Sequence, residues 1–373
     1  MHEQPVTPLR LARADLQPVG PLRVYACGIT PYDVTHVGHA STFVWTDVIG
    51  SVAHAGGFDF VLARNVTDVD DVLTRAARAE GWHYDELALT REYLFDRDMK
   101  ALQVAAPSVS PHARSHVVSV IRLASRLLAT GDAYESDGHV WFRGGRVPEL
   151  AGLDPETALA ASRSYGDQDV SAERESAFDV AIWRPSDEDD PAWPSPWGWG
   201  RPGWHAECAA MAMCSLGSSI HVLVGGADLD FPHHAYQTRM VEAAATVQPF
   251  AQAVVHIGEV RLDGVKMAKS TGNLVLVSDL LERFEGSAIR LGLLSRRWWE
   301  AWDCTDEVFT EAQATLAELH RAAGDVHPPR HHDEMLALLE DDLDVPGATA
   351  AALDRGGEAA AYLLDVLKLR AAE

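Results

Sequence analysis

The sequence predicts an α/β fold built on a parallel sheet, carrying an inserted segment and followed by a small all-α C-terminal domain. Three observations predict it. The chain opens as strand, turn, helix, strand; the same alternation returns after residue 204; and beyond residue 302 only helical patterns remain.

Residues 22–29 form an apolar run of strand length, punctuated by Gly28 and Pro31. A long helical pattern follows over about 38–54, and residues 58–65 read as a second buried strand. This opening is Rossmann-like. Residues 70–131 read as helix in three pieces, and 140–142 as a short strand. From 144 to 201 charged residues mix with Pro, Trp and Gly. That stretch reads as loops over the active-site face, within an insertion spanning about 105–200. Order returns with a helix over 204–214, a strand over 220–224 and a helix opening at Pro232, where proline suits the first turn. Residues 254–265 read as a strand pair leading into a loop, 266–273. The helical tail breaks at Pro328-Pro329, Pro346 and Gly356-Gly357. The expected division is a catalytic domain over 20–300 and a helical domain over 301–373.

Charge excludes one class of partner. The chain carries 31 basic and 55 acidic residues, a net −24, and residues 301–373 alone carry 5 basic and 16 acidic ones, a net −11. Such a surface repels a phosphate backbone, so no nucleic-acid partner is expected. No apolar run reaches 18 residues, so no membrane partner is expected. Residues 1–20 lack the basic start and apolar core of a secretion signal, and four cysteines are too few for a disulfide framework. Reduced thiols in the cytoplasm are the expectation. The residues are silent on oligomeric state, for which a monomer is expected.

Two motifs carry chemistry. His36-Val37-Gly38-His39 stands where a strand gives way to a helix. Two imidazoles three apart share the face of the first turn, beside a helix N-terminus that favours negative charge. Gly38 lets a flat ring approach the backbone. Alone, this is equally a helix start with two surface histidines. Far away, Lys266-Met267-Ala268-Lys269-Ser270 places two of the chain's few lysines on one loop, where they can clamp a departing pyrophosphate; alone, they are a solvated basic loop.

Together the two motifs resemble the His-x-Gly-His and Lys-Met-Ser-Lys-Ser signatures of class I aminoacyl-tRNA synthetases, with Ala268 in place of the middle serine. The segments YACGITPYD (25–33), NVTDVDD (65–71), GRPGWHAEC (200–208) and GGADLDFPHH (225–234) are similar to cysteinyl-tRNA synthetases and to the cysteine ligases of mycothiol biosynthesis. The likeness runs from about residue 20 to 300 and implies a catalytic domain of class I synthetase type. It implies ATP, with Mg2+, and L-cysteine as substrates, with His36, His39, Lys266 and Lys269 as catalytic residues. It implies cysteine and adenylate contacts at Cys27, Gly28, Ile29, Thr30, Thr42, Asn65, Val66, Thr67, Trp204, Gly226, Ala227, Asp228, Val260 and Ser270. By residue type, Asp228 suits the substrate ammonium and Trp204 suits closure over the small side chain. The resemblance also implies one zinc ion on Cys27, Cys208 and His233. Two thiolates and one imidazole leave an open tetrahedral position for a substrate thiol.

Four features favour a small acceptor over tRNA. Gln237 stands where the synthetase has a fourth ligand, a glutamate; residues 27–40 are closer to the ligase; the chain ends soon after the helical tail begins; and that tail is acidic. The acceptor implied is an amino sugar, glucosaminyl-inositol, although Arg163-Ser-Tyr-Gly-Asp167 only approximates the ligase's acceptor-side run. Alternatives are another small amine acceptor, an inactive paralogue that only binds, and, last, tRNA charging. Gly198 to Gly203 matches a dinucleotide fingerprint but follows no strand, and His327, His331, His332, Cys214 and Cys304 read as loop or packing residues.

Overall fold

The computed structural model describes every residue except 1–7, 33, 165–173, 189, 268–271 and 370–373. A hairpin of β1 (Leu9–Leu11) and β2 (Ala14–Leu16) leads into β3 (Leu22–Ile29). Both faces of β3 are covered, as in a central parallel strand. Helix α1 (Val37–Ala55) is buried around most of its circumference, and β4 (Phe60–Val66) pairs parallel with β3. The second strand starts later than its apolar run because the Phe58 N–H closes the helix end on Ala53 O. The three helical pieces follow as α2 (Asp71–Glu80), α3 (Tyr84–Ala101) and α4 (Val117–Thr130).

Residues 144–201 differ from the loops expected of them. Strands β5 (Ala133–Ser136) and β6 (His139–Phe142) lead into α5 (Val147–Leu150) and α6 (Pro155–Ser164), then into β7 (Val180–Pro185), β8 (Trp193–Ser195) and β9 (Gly198–Pro202). The strands form one antiparallel sheet in the order β5-β6-β7-β9-β8. Glycine here serves close packing. A Cβ on Gly200 would sit 2.3 Å from Arg184 O, and one on Gly203 would sit 1.8 Å from Ala181 O. Residues that read as loop punctuation are the places where two backbones touch.

Helix α7 (Trp204–Leu216) and β10 (Ile220–Gly226) come next. The helix expected to open at Pro232 begins only at Ala235, as α8 (Ala235–Ala245). Pro232 instead lies in a tight turn whose Phe231 is extended, at φ −134° and ψ 132°. Strand β11 (Ala251–Ile257) completes a parallel sheet ordered β11-β10-β3-β4. The pair expected over 254–265 is thereby divided. Its first half belongs to the parallel sheet, and β12 (Val260–Leu262) makes the hairpin with β13 (Val265–Lys266). Helices α9 (Val277–Leu281) and α10 (Gly286–Leu293) follow, β14 (Trp302–Asp303) pairs with β12, and the tail comprises α11 (Asp306–Ala323), α12 (Asp333–Glu340), α13 (Val345–Arg355) and α14 (Gly357–Val366). No helix among the described residues is long and apolar enough to cross a membrane.

Side-chain alternation along β3 feeds two cores. Val24 and Ala26 enter one with α1, α10 and the tail helices, including Phe309, Met335 and Leu363. Tyr25 and Cys27 enter the other with α4, α7 and the antiparallel sheet. A buried ion network fastens the tail to the first core. Arg290, fully buried, donates to Asp47 Oδ2 at 2.5 Å, Leu367 O at 2.7 Å and Leu102 O at 3.1 Å. Lys368 donates to Asp47 Oδ1 at 2.7 Å. Burial works against the Asp47 carboxylate, but Arg290 and Lys368 prevail and hold it below its ordinary range. Removing one member of a buried pair strands the other charge. Arg290→Leu is therefore expected to destabilise the fold by about 3–5 kcal/mol, read as a lower urea midpoint. Lys368→Ala, whose ion is partly exposed, should cost less; equal losses would contradict this account.

Candidate functional site

The functional residues collect at the carboxyl ends of β3, β4 and β10, where chain direction from β3 diverges to either side and an open α/β sheet forms its crevice. His36 caps α1, and its Nδ1 accepts the Gly38 N–H at 3.1 Å. The His36 and His39 rings lie 3.9 Å apart between centroids, tilted by 31°. A Cβ on Gly38 would stand 2.8 Å from His36 Cε1, so this glycine makes room for the capping ring. One expectation is corrected. The N–H groups of Val37 and Gly38 are not open to a ligand, because Val275 O and His36 Nδ1 take them. Burial pushes His39 down to about 4, with Asp228 opposing, so the ring is neutral near pH 7.

The lysine loop meets this helix start. Val275, beyond the loop, holds the Val37 N–H at 2.9 Å, and Asn273 Nδ2 donates to Lys266 O at 3.1 Å. Met267 is buried in the first core, which anchors the near side of the loop. Lys269 and Ser270, with Ala268, lie outside the described residues. Lys266 Nζ pairs with Asp228 Oδ2 at 2.9 Å. The residue read as a partner for a substrate ammonium thus binds a protein ammonium in this form. A Cβ on Gly226 would come within 2.5 Å of Asp228 Oδ1, so a larger residue there would shift that carboxylate.

Deeper in, Cys27 at the end of β3, Cys208 on α7 and His233 in the turn after β10 bring their ligand atoms within 4.8 Å of one another, all three buried. Burial, aided by the positive fields of His205 and His234, holds His233 well below its ordinary value. It is therefore in the neutral form that binds metals. Burial and neighbouring Cys27 push the Cys208 thiol up, so a cation is what would favour its ionised form. A set of two thiols and one neutral imidazole, buried and convergent, fits a tetrahedral zinc with one position left open.

Around this cluster runs a chain of histidines that the sequence did not reveal. His233 Nδ1 lies 2.9 Å from His205 Nδ1. His234 Nε2 lies 3.2 Å from Cys27 Sγ, and its Nδ1 lies 2.9 Å from His256 Nε2. They come from three different elements, and histidines scattered in this way carry no periodic signal. Trp204 stacks on the His233 ring at 4.0 Å. Gln237 is wholly buried, with Oε1 3.5 Å from Cys27 Sγ and Nε2 donating to Cys208 O at 3.5 Å.

The remaining site residues divide. Gly28 N–H donates to Asn65 Oδ1 at 2.9 Å, and a Cβ on Gly28 would lie 1.7 Å from Asn65 O, so glycine alone fits. Thr30 and Thr67 share a hydroxyl contact of 2.7 Å at the strand ends, and Thr67 Oγ1 donates to Ile29 O at 3.1 Å. Thr42 Oγ1 donates to Gly38 O at 3.4 Å and lies 3.9 Å from where a Gly226 Cβ would be. Ala227 opens the short turn after β10. Ile29, Val66 and Val260 send their side chains into the first core and can offer a ligand only backbone.

Comparison with known proteins gives the family. The family model of class I (C) tRNA-synthetase catalytic domains matches residues 16–314. An L-cysteine:1D-myo-inositol 2-amino-2-deoxy-alpha-D-glucopyranoside ligase of Nocardia farcinica is 40% identical, over 94% of this chain and 91% of its own. The ligase of the same name from Streptosporangium roseum is 38% identical, over 92% and 87%. A cysteine–tRNA ligase of Legionella pneumophila is also 38% identical, over 88% of this chain and 74% of its own. Among solved structures, Mycobacterium tuberculosis methionyl-tRNA synthetase with methionyl-adenylate superposes with a TM-score of 0.61 at 18% identity, covering 94% of this chain and 82% of that one, a likeness of fold alone. The chain belongs to the class I (C) tRNA-synthetase catalytic-domain family and is an ATP-dependent ligase of that family.

Proposed function

We propose that the protein activates L-cysteine with ATP as cysteinyl-adenylate and transfers the cysteinyl group to the amine of glucosaminyl-inositol. The observation that carries the reading is the buried Cys27, Cys208 and His233 cluster, in a fold whose first long helix opens with His36 and His39. Ligases named for cysteine and this amino sugar, at 38–40% identity, support the acceptor.

In the first half-reaction a cysteine carboxylate oxygen attacks the α-phosphorus of ATP, and the bond to the β-phosphate oxygen breaks. By their motifs His36 and His39 would meet the charge gained by the α-phosphate, and Lys266 and Lys269 that of the departing pyrophosphate, with Mg2+ as its counter-ion when bound. The contribution is positioning and electrostatics. A zinc ion held by Cys27, Cys208 and His233 would supply a Lewis-acid position that accepts a substrate thiolate. Serine offers a poor hydroxyl ligand there, so the site can discriminate without editing. In the second half-reaction the acceptor nitrogen attacks the carbonyl carbon, the bond to the AMP oxygen breaks, and the nitrogen loses its proton to the medium.

Two outcomes are expected. Purified protein with ATP, cysteine and glucosaminyl-inositol should release AMP in step with a product whose mass is the sum of the two substrates less water, and serine should give none. Failure of cysteine to support exchange of pyrophosphate into ATP would overturn the reading; exchange without product would keep the activation chemistry and reassign the acceptor. Lys266→Ala should lower the rate of that exchange by about 10²–10³-fold, the usual loss for one preorganised charge-stabilising group, while leaving bound zinc per chain unchanged.

A further inference from the structure

Cys208 is buried and stands beside a second thiol, Cys27. Two side chains that the mechanism does not otherwise use face its sulfur. Asn65 is wholly buried, and its amide is oriented by the fold. The carbonyl oxygen is committed to the Gly28 N–H at 2.9 Å, which turns the amide nitrogen toward Cys208 Sγ at 3.6 Å. Because Gly28 and Asn65 lie on adjacent parallel strands in contact too close for any other residue at 28, this orientation is rigid. Tyr25 stands two residues before Cys27 on the same face of β3, wholly buried in the second core. Among the described residues no nitrogen or oxygen takes its hydroxyl; it lies against Cys208 and Cys27, within reach of a side-chain hydrogen bond to Cys208. A phenol O–H facing a thiolate sulfur is the donor of the pair.

We propose that Asn65 and Tyr25 are positioning residues that donate N–H and O–H to the Cys208 sulfur when it is a metal-bound thiolate, and thereby decide how strongly the ion takes a substrate thiol. The inference rests on the metal reading given above and extends it to specificity. Donors on a ligand sulfur withdraw charge from it. The ion then keeps enough positive charge to hold a third thiolate, where two unrelieved thiolates would satisfy it. An orphan buried hydroxyl would otherwise be a net cost to the fold.

The probe is cobalt(II) loaded into the purified full chain, read by its thiolate-to-cobalt absorption and titrated with cysteine. The variants are Tyr25→Phe, which removes only the hydroxyl, and Asn65→Asp, which keeps an acceptor for Gly28 N–H and removes the donor to sulfur. The absorption is expected to move to lower energy in both, and cysteine is expected to bind about 10-fold more weakly, at the low end for loss of a group supporting a metal ligand. Thermal melting of the metal-free proteins separates this from misfolding: Tyr25→Phe should melt at or above the wild type. A loaded spectrum and a cysteine affinity unchanged in both variants would overturn the proposal and leave the two residues as packing. A wild type with no thiolate-to-cobalt absorption would overturn the metal reading itself, and the proposal with it.

Discussion

The site depends on one close approach, that of β3 to β4 at Gly28 and Asn65. A carbonyl oxygen 1.7 Å from where a Cβ would be allows only glycine at 28, and the Gly28 N–H then fixes the Asn65 amide. Everything chemical is arranged around that contact. Cys27 precedes it, Thr30 and Thr67 close the strand ends beyond it, and α1 begins seven residues later with the paired histidines. The parallel register of β10 on the other side of β3 brings the turn bearing His233 over the same point. Three ligand atoms from stretches about 180 residues apart meet because a parallel sheet aligns its carboxyl ends.

The two faces of the sheet divide the work. One face is a large aliphatic core shared with the tail helices and locked by the Asp47, Arg290 and Lys368 network. The other carries the cysteines, the histidine chain and the antiparallel sheet. Alternation along β3 assigns Val24 and Ala26 to stability and Tyr25 and Cys27 to chemistry. The polar and titratable groups of the second face are thereby buried without interrupting the first. Burial favours a neutral His233 and an uncharged Cys208, the forms a metal converts into ligands.

Much of this was legible in the residues, for reasons that differ by element. Strand β3 and helix α1 are long and nearly continuous in apolar character, so period alone identifies them. The contact of His36 with His39 followed from their motif, and the convergence of Cys27, Cys208 and His233 from their flanking segments. The antiparallel sheet was not legible, because its strands are short and its glycines mark backbone contact instead of turns. The turn at Pro232 was missed because proline fits a first helical turn equally well by composition. Val37 and Gly38 lost their N–H groups to partners that no local pattern announces, one of them 238 residues away at Val275. His205, His234 and His256 are single residues on separate elements, visible only once folded.

The central claim is that a metal on Cys27, Cys208 and His233 receives the thiol of cysteine. X-ray absorption at the zinc edge of the purified protein measures it directly, with and without saturating cysteine. The account predicts two sulfur ligands at about 2.3 Å without cysteine and three with it, and no such gain with serine. A sulfur count that stays at two when cysteine binds would contradict it.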